Sequence, residues 1–87
     1  MDFERVLEMR LILYGTDFCQ LCDEALALIE GTLAEAAYEL EVVDISSSDE
    51  LMAQYAYSIP VLRRMDNEQR ELSWPFSASQ IREFVGQ

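Results

Sequence analysis

The chain has 87 residues, enough for one domain with one modest core. Six arginines, no lysine and seventeen acids give it a formal net charge of −11, a surface that repels nucleic acid and anionic lipid. Hydrophobic residues make up 51% of the sequence, so a folded globule is expected rather than disorder. No run approaches the roughly 20 apolar residues that a spanning helix needs, which argues against a membrane protein.

The opening residues, MDFERVLEMR, lack the basic start and apolar stretch of a signal peptide, and a cytoplasmic location is expected. Met9 to Tyr14, MRLILY, is a short apolar run ended by Gly15 and predicts a buried strand. From Cys22 to Ala37 the period changes. Leu21, Ala25, Leu28, Ile29, Leu33 and Ala36 recur at helical spacing, while Glu24, Glu30 and Glu35 take the other side. Tyr38 to Ile45 alternates and then turns continuously apolar, as a second strand should. Strand, helix and strand with tight joins make a βαβ unit, so these two strands should be parallel.

Ser47 and Glu50 have the spacing of a capping box and predict a short helix through about Tyr55. Pro60 then precedes a third strand, VLRRM. Asp66 and Asn67 supply a turn, and RELSW returns as a fourth, antiparallel strand. Ser77 with Gln80 forms another capping box, opening a last helix whose inward stripe is Ile81, Phe84 and Val85. With no repeats or linkers, residues 1–87 are taken as a single domain of order β-α-β-α-β-β-α.

The only two cysteines, Cys19 and Cys22, stand where the first strand gives way to the first helix, and the chain has no histidine. A structural staple is a weak explanation, because closing so short a loop removes only roughly 2 kcal/mol of unfolded-state entropy. A structural zinc site needs four donors, and Asp17, Asp23 or a second chain would have to complete it. The two thiols could also be small apolar fillers. Position favours redox chemistry over these. Cys19 falls at a helix start, where free N–H groups and the positive dipole end favour a thiolate. Cys22 lies one turn further in, close enough to attack a mixed disulfide on Cys19, so Cys19 is assigned as nucleophile and Cys22 as resolving thiol. Asp17, Asp23 and Glu24 oppose the thiolate, although acids in a first turn also simply stabilise the helix.

From LILYGTDFCQLC through SIPVL to the last helix, the chain resembles the thioredoxin-fold proteins, most closely the small bacterial glutaredoxin-like group. The resemblance implies an α/β fold with a four-stranded mixed sheet in order 2-1-3-4 and helices on both faces. It implies a cis Ile59–Pro60 bond beside the cysteines, with the unpaired backbone of Ile59 ready to receive an extended substrate. Without the resemblance, Pro60 could equally begin a strand in trans.

The departures are specific. Gln20 and Leu21 stand between the cysteines where glutaredoxins usually have Pro-Tyr, and Thr16 and Asp17 stand where they often carry a basic residue. SWPFS, residues 73–77, replaces the Gly-Gly and acidic segment that grips glutathione. The Trp-Cys-Gly-Pro-Cys sequence of thioredoxins and their buried acid are absent as well. Trp74 and Phe76 could line the rim beside Cys19, though such aromatics more often seal a strand–helix junction. Arg63 and Arg64, as strand neighbours, should face opposite sides.

The expected function is therefore thiol–disulfide exchange by Cys19 and Cys22, with Ile59 and Pro60 shaping the substrate groove and no metal or organic cofactor. The expected partner is a disulfide-containing protein or small thiol rather than glutathione, and the chain is expected to act as a monomer. The rival is a non-catalytic binding module, or an iron–sulfur carrier bridging a cluster through Cys19.

Overall fold

The computed structural model describes residues 9–65 and 70–86. Its strands are β1 (Met9–Gly15), β2 (Tyr38–Asp44), β3 (Val61–Arg64) and β4 (Glu71–Ser73). The α-helices among the described residues are α1 (Gln20–Thr32), α2 (Asp49–Tyr55) and α3 (Ala78–Phe84). The sheet order is β2-β1-β3-β4, with β1 parallel to β2 and antiparallel to β3, and β3 antiparallel to β4. This is the mixed sheet that the resemblance implies. Among the described residues, no helix is long and apolar enough to cross a membrane.

The alternation of strand side chains divides the core in two. Leu11 and Leu13 of β1 and Leu62 of β3 point to one face, where Ala25, Ile29 and Leu33 of the α1 segment meet Ile81 and Phe84 of α3. Tyr14 and Val61 point to the other, where Ile45 and Tyr55 close over them. Helices therefore cover both faces of the sheet.

Several boundaries differ from the sequence expectation. Helix α1 stops at Thr32, five residues short of Ala37, and Leu33 caps it with its N–H on the Ile29 carbonyl. Ala36 still packs against the core, but from the following turn. Strand β2 ends at Asp44 rather than Ile45, because the Asp44 carboxylate accepts from the Ser46 N–H at 2.9 Å and starts a 3₁₀ turn over Ile45–Ser47. Those bonds from Ser46, with one from Thr16, hold the Asp44 carboxyl below the usual range. The capping box expected on Ser47 and Glu50 does not form. Ser48 is the cap of α2, accepting from the Leu51 N–H at 3.2 Å, while the Ser47 hydroxyl is spent on the Asp44 carbonyl. The box on Ser77 and Gln80 is present in both directions, at 3.1 and 2.8 Å. The Asp66–Asn67 turn lies outside the described residues.

Arg63 and Arg64 do face opposite ways. Arg64 Nη1 donates to the Phe84 carbonyl at 2.8 Å, and Arg70 donates to the same oxygen at 3.3 Å, which neutralises the C-terminal end of α3. Arg63 Nη1 donates to the Tyr14 hydroxyl at 3.4 Å on the other face. There Tyr14 stacks on Tyr55 with ring centroids 4.4 Å apart, and the Tyr55 hydroxyl donates to Glu71 of β4.

Burial, then the bond to the Glu71 carboxylate, push the Tyr55 phenol up from 10.0 to about 12. A phenol that holds its proton more tightly in the folded state favours folding while protonated. That contribution is complete below pH 10.0 and is lost as pH rises towards about 12. Urea midpoints of the wild type are expected to fall through this alkaline window. Those of Tyr55→Phe are expected to start lower at neutral pH and to fall less.

Candidate functional site

Strand β1 delivers the chain to the site. It ends at Gly15, the residues 16–18 cross over the end of the sheet, and α1 begins at Gln20 with Cys19 as its cap. Cys19 has the extended backbone of a cap residue (φ −111°, ψ 104°), and its Sγ accepts from the Cys22 N–H at 3.1 Å. A sulfur thus takes the place usually held by a Ser, Thr or Asp oxygen at a helix start. The same N–H and the dipole of a 13-residue helix favour negative charge on that sulfur once the pair is reduced.

The two cysteines form a disulfide, with Cα atoms 5.2 Å apart. Their environments differ. Cys22 is buried, with 8% of its surface exposed, whereas Cys19 is half-buried at the rim. Asp17, Asp23 and Glu24 are exposed, and the Glu24 carboxylate accepts from Gln20 Nε2 at 3.4 Å.

The wall behind Cys22 is the backbone of Gly15. A Cβ placed there would lie 2.9 Å from Cys22 Sγ and 3.3 Å from its Cβ. Only hydrogen fits, so the glycine that punctuates the strand in the sequence also seats the inner sulfur. Gly15→Ala is expected to displace Cys22 and to destabilise the oxidised protein by about 1–3 kcal/mol, measured by urea denaturation. Gly31→Ala, inside α1 with nothing within 4 Å of the added carbon, is the contrasting control and is expected to leave stability unchanged or raise it by up to about 1 kcal/mol.

Ile59 and Pro60 come to the same end of the sheet. The register pairs Tyr14 with Val61, so Pro60 follows on as the neighbour of Gly15. The Ile59–Pro60 peptide is cis, and Pro60 is buried. The Pro60 carbonyl accepts from the Trp74 N–H at 3.0 Å. Ile59 departs in part from expectation, for its N–H donates to the Tyr55 carbonyl at 3.2 Å, in the turn that ends α2.

Trp74 and Phe76 act as a seal. Phe76 is buried among Leu13, Ile81 and their neighbours, and Trp74 packs on that cluster with its ring edge-on to Phe76 at 5.0 Å. The Trp74–Pro75 peptide is also cis.

Two residues beside the site did not stand out in the sequence. Phe18, directly before Cys19, is wholly exposed and has a left-handed backbone with φ +57°. Tyr57, in the turn leading to Ile59, is equally exposed. The available signal was that both aromatics fall outside every periodic stripe.

Residues 10–86 match the family model described as glutaredoxin-like domain (DUF836). No protein with a curated description matches significantly. Among solved structures, the X-ray structure of target protein XcR50 from X. campestris is 36% identical, with a TM-score of 0.70 over 86% of this chain and 93% of that one. The solution structure of protein Ne2328 from Nitrosomonas europaea is 29% identical, with a TM-score of 0.76 over 90% and 92%. Thioredoxin 1 from Thermosipho africanus, at 22% identity and a TM-score of 0.65 over 87% and 90%, shares the fold. A thioredoxin-like sheet carrying Cys19 and Cys22 at its first helix start, matched by the family model over nearly its whole length, makes this chain a member of the glutaredoxin-like domain family.

Proposed function

We propose that the protein is a thiol–disulfide oxidoreductase in which Cys19 attacks and Cys22 resolves. The observation that carries this is the asymmetry of the pair: an outer sulfur held at a helix start and an inner one buried against Gly15. In the reduced protein the Cys19 thiolate attacks one sulfur of a substrate disulfide. That bond breaks, the departing sulfur takes up a proton, and Cys19 is left in a mixed disulfide. Cys22, losing its proton, then attacks Cys19 Sγ, and the second substrate sulfur leaves and is protonated. The substrate has gained two electrons and two protons, and the chain holds the Cys19–Cys22 bond. A thiol reductant resets it by the reverse sequence.

Ile59 and Pro60 form the adjoining wall of the substrate groove, where the Ile59 carbonyl accepts from an extended chain. Glutathione is a poor fit. Its net negative charge meets a protein of −11, and SWPFS offers a proline without an N–H where a donor would be needed.

Alkylation of the reduced protein, mapped by peptide mass at short times, tests the assignment of roles. Cys19 is expected to be labelled several-fold faster than Cys22. Equal rates, or Cys22 leading, would refute it.

A further inference from the structure

The sheet end that carries the disulfide also carries apolar surface that the exchange chemistry does not itself require. Phe18 is 106% and Tyr57 103% exposed relative to a reference chain, and Leu21, between the two cysteines, is 48% exposed. Phe18 precedes the outer cysteine. Tyr57 stands in the turn entering Ile59–Pro60, which the β1–β3 register sets beside Gly15. The three side chains therefore belong to the loops and first helical turn at the end of the sheet that carries the disulfide.

Phe18 is the most informative of them. A bulky residue at φ +57° is a backbone outlier, and a fully exposed ring makes no packing contact that would compensate for it. Asp17, Asp23 and Glu24 are exposed around the same loop and helix turn, in a chain of net charge −11. An apolar centre with an acidic surround complements one kind of partner and repels its acidic counterpart.

We infer that the Phe18, Leu21 and Tyr57 surface docks an extended segment of a partner protein that carries aromatic or aliphatic side chains next to its cysteine and arginine or lysine on either side. The inference rests on the exchange reading given above and deepens it by naming the substrate class. The rings of Phe18 and Tyr57 take the apolar side chains, and the guanidinium or ammonium groups lie over Asp17, Asp23 and Glu24. Arginine also gains by stacking on an exposed ring.

Binding can be read without the exchange reaction. Fluorescence anisotropy would follow oxidised protein binding a labelled nonapeptide in which serine replaces the cysteine, flanked by phenylalanine and arginine. A second peptide has glutamate in place of arginine. The arginine peptide is expected to bind about tenfold tighter at low salt, with the ratio shrinking as salt rises. Phe18→Ser and Tyr57→Ser are each expected to weaken it about fivefold, while Val42→Ser, an exposed apolar position on β2, leaves it unchanged.

Equal binding of the two peptides, or Phe18 and Tyr57 variants that behave like Val42→Ser, would overturn the inference. Circular dichroism of each variant confirms that it is folded. Exchange of the wild type with a small neutral disulfide is measured in parallel. Peptide binding without exchange would sink the oxidoreductase reading and uphold the docking surface. Exchange without selective peptide binding would do the reverse.

Discussion

Mixed disulfides are expected to accumulate on the Cys22→Ser variant and to be absent from Cys19→Ser. After incubation with an oxidised peptide substrate and acid quenching, non-reducing electrophoresis and mass spectrometry would read both. Cys22→Ser keeps the half-buried outer thiol with the Cys22-position N–H and the helix start still behind it, so the first attack proceeds. The inner sulfur that would release the substrate is gone, and the adduct persists. In Cys19→Ser the remaining thiol is 8% exposed and lies against Gly15, where a substrate disulfide cannot approach in line. Its turnover is expected to fall by more than about a thousand-fold, the scale of losing a nucleophile. Comparable adducts on both variants would mean that burial does not set the order of attack.

The second large effect concerns stability. Ile29→Ala is expected to cost about 2–5 kcal/mol, because Ile29 is fully buried and the sheet beneath it cannot collapse into the space left behind. For a domain of this size that corresponds to a drop in Tm on the order of 10–30 °C. Leu21→Ala, two turns earlier, is expected to cost under about 1 kcal/mol, since half of that side chain is already in water. Thermal melts of the two variants side by side make the comparison. Similar losses would contradict the assigned burial.

Leu21 and Ile29 show where sequence pattern stops being informative. Both lie on the helical stripe, so periodicity places them on one face, and for Ile29 that is enough. Leu21, however, lies at the edge of that stripe, about 80° round the axis from Ile29, and in the first turn it is Cys22, not Leu21, that takes the buried position in line with Ala25 and Ile29. A period reports direction around an axis and says nothing of what stands opposite. Sheet order was legible for a different reason. The βαβ unit made β1 and β2 parallel and the expected turn paired β3 with β4, but the placing of β3 beside β1 rested on the resemblance to the thioredoxin-fold proteins.

Caps were legible only where the spacing was unique. Ser77 and Gln80 had no competitor, but Ser47 and Ser48 are adjacent, and the choice fell to Asp44, whose carboxylate claimed the preceding turn. At the site, the C-x-x-C spacing announced the thiols. The exposure of Phe18 and Tyr57 did not announce itself, because a loop aromatic reads the same whether it folds inward or out.

The bond from the Cys22 amide to Cys19 Sγ has a spectroscopic consequence. In the proposed exchange reaction the acceptor is the atom whose covalent state changes, from disulfide to thiolate or to an adduct with substrate. Each state presents that amide proton with a different partner charge, while the amides of α1 from Asp23 onward keep carbonyl acceptors. The Cys22 amide resonance therefore serves as a built-in probe: a single cross-peak whose position reports the redox state of the neighbouring sulfur without any added label.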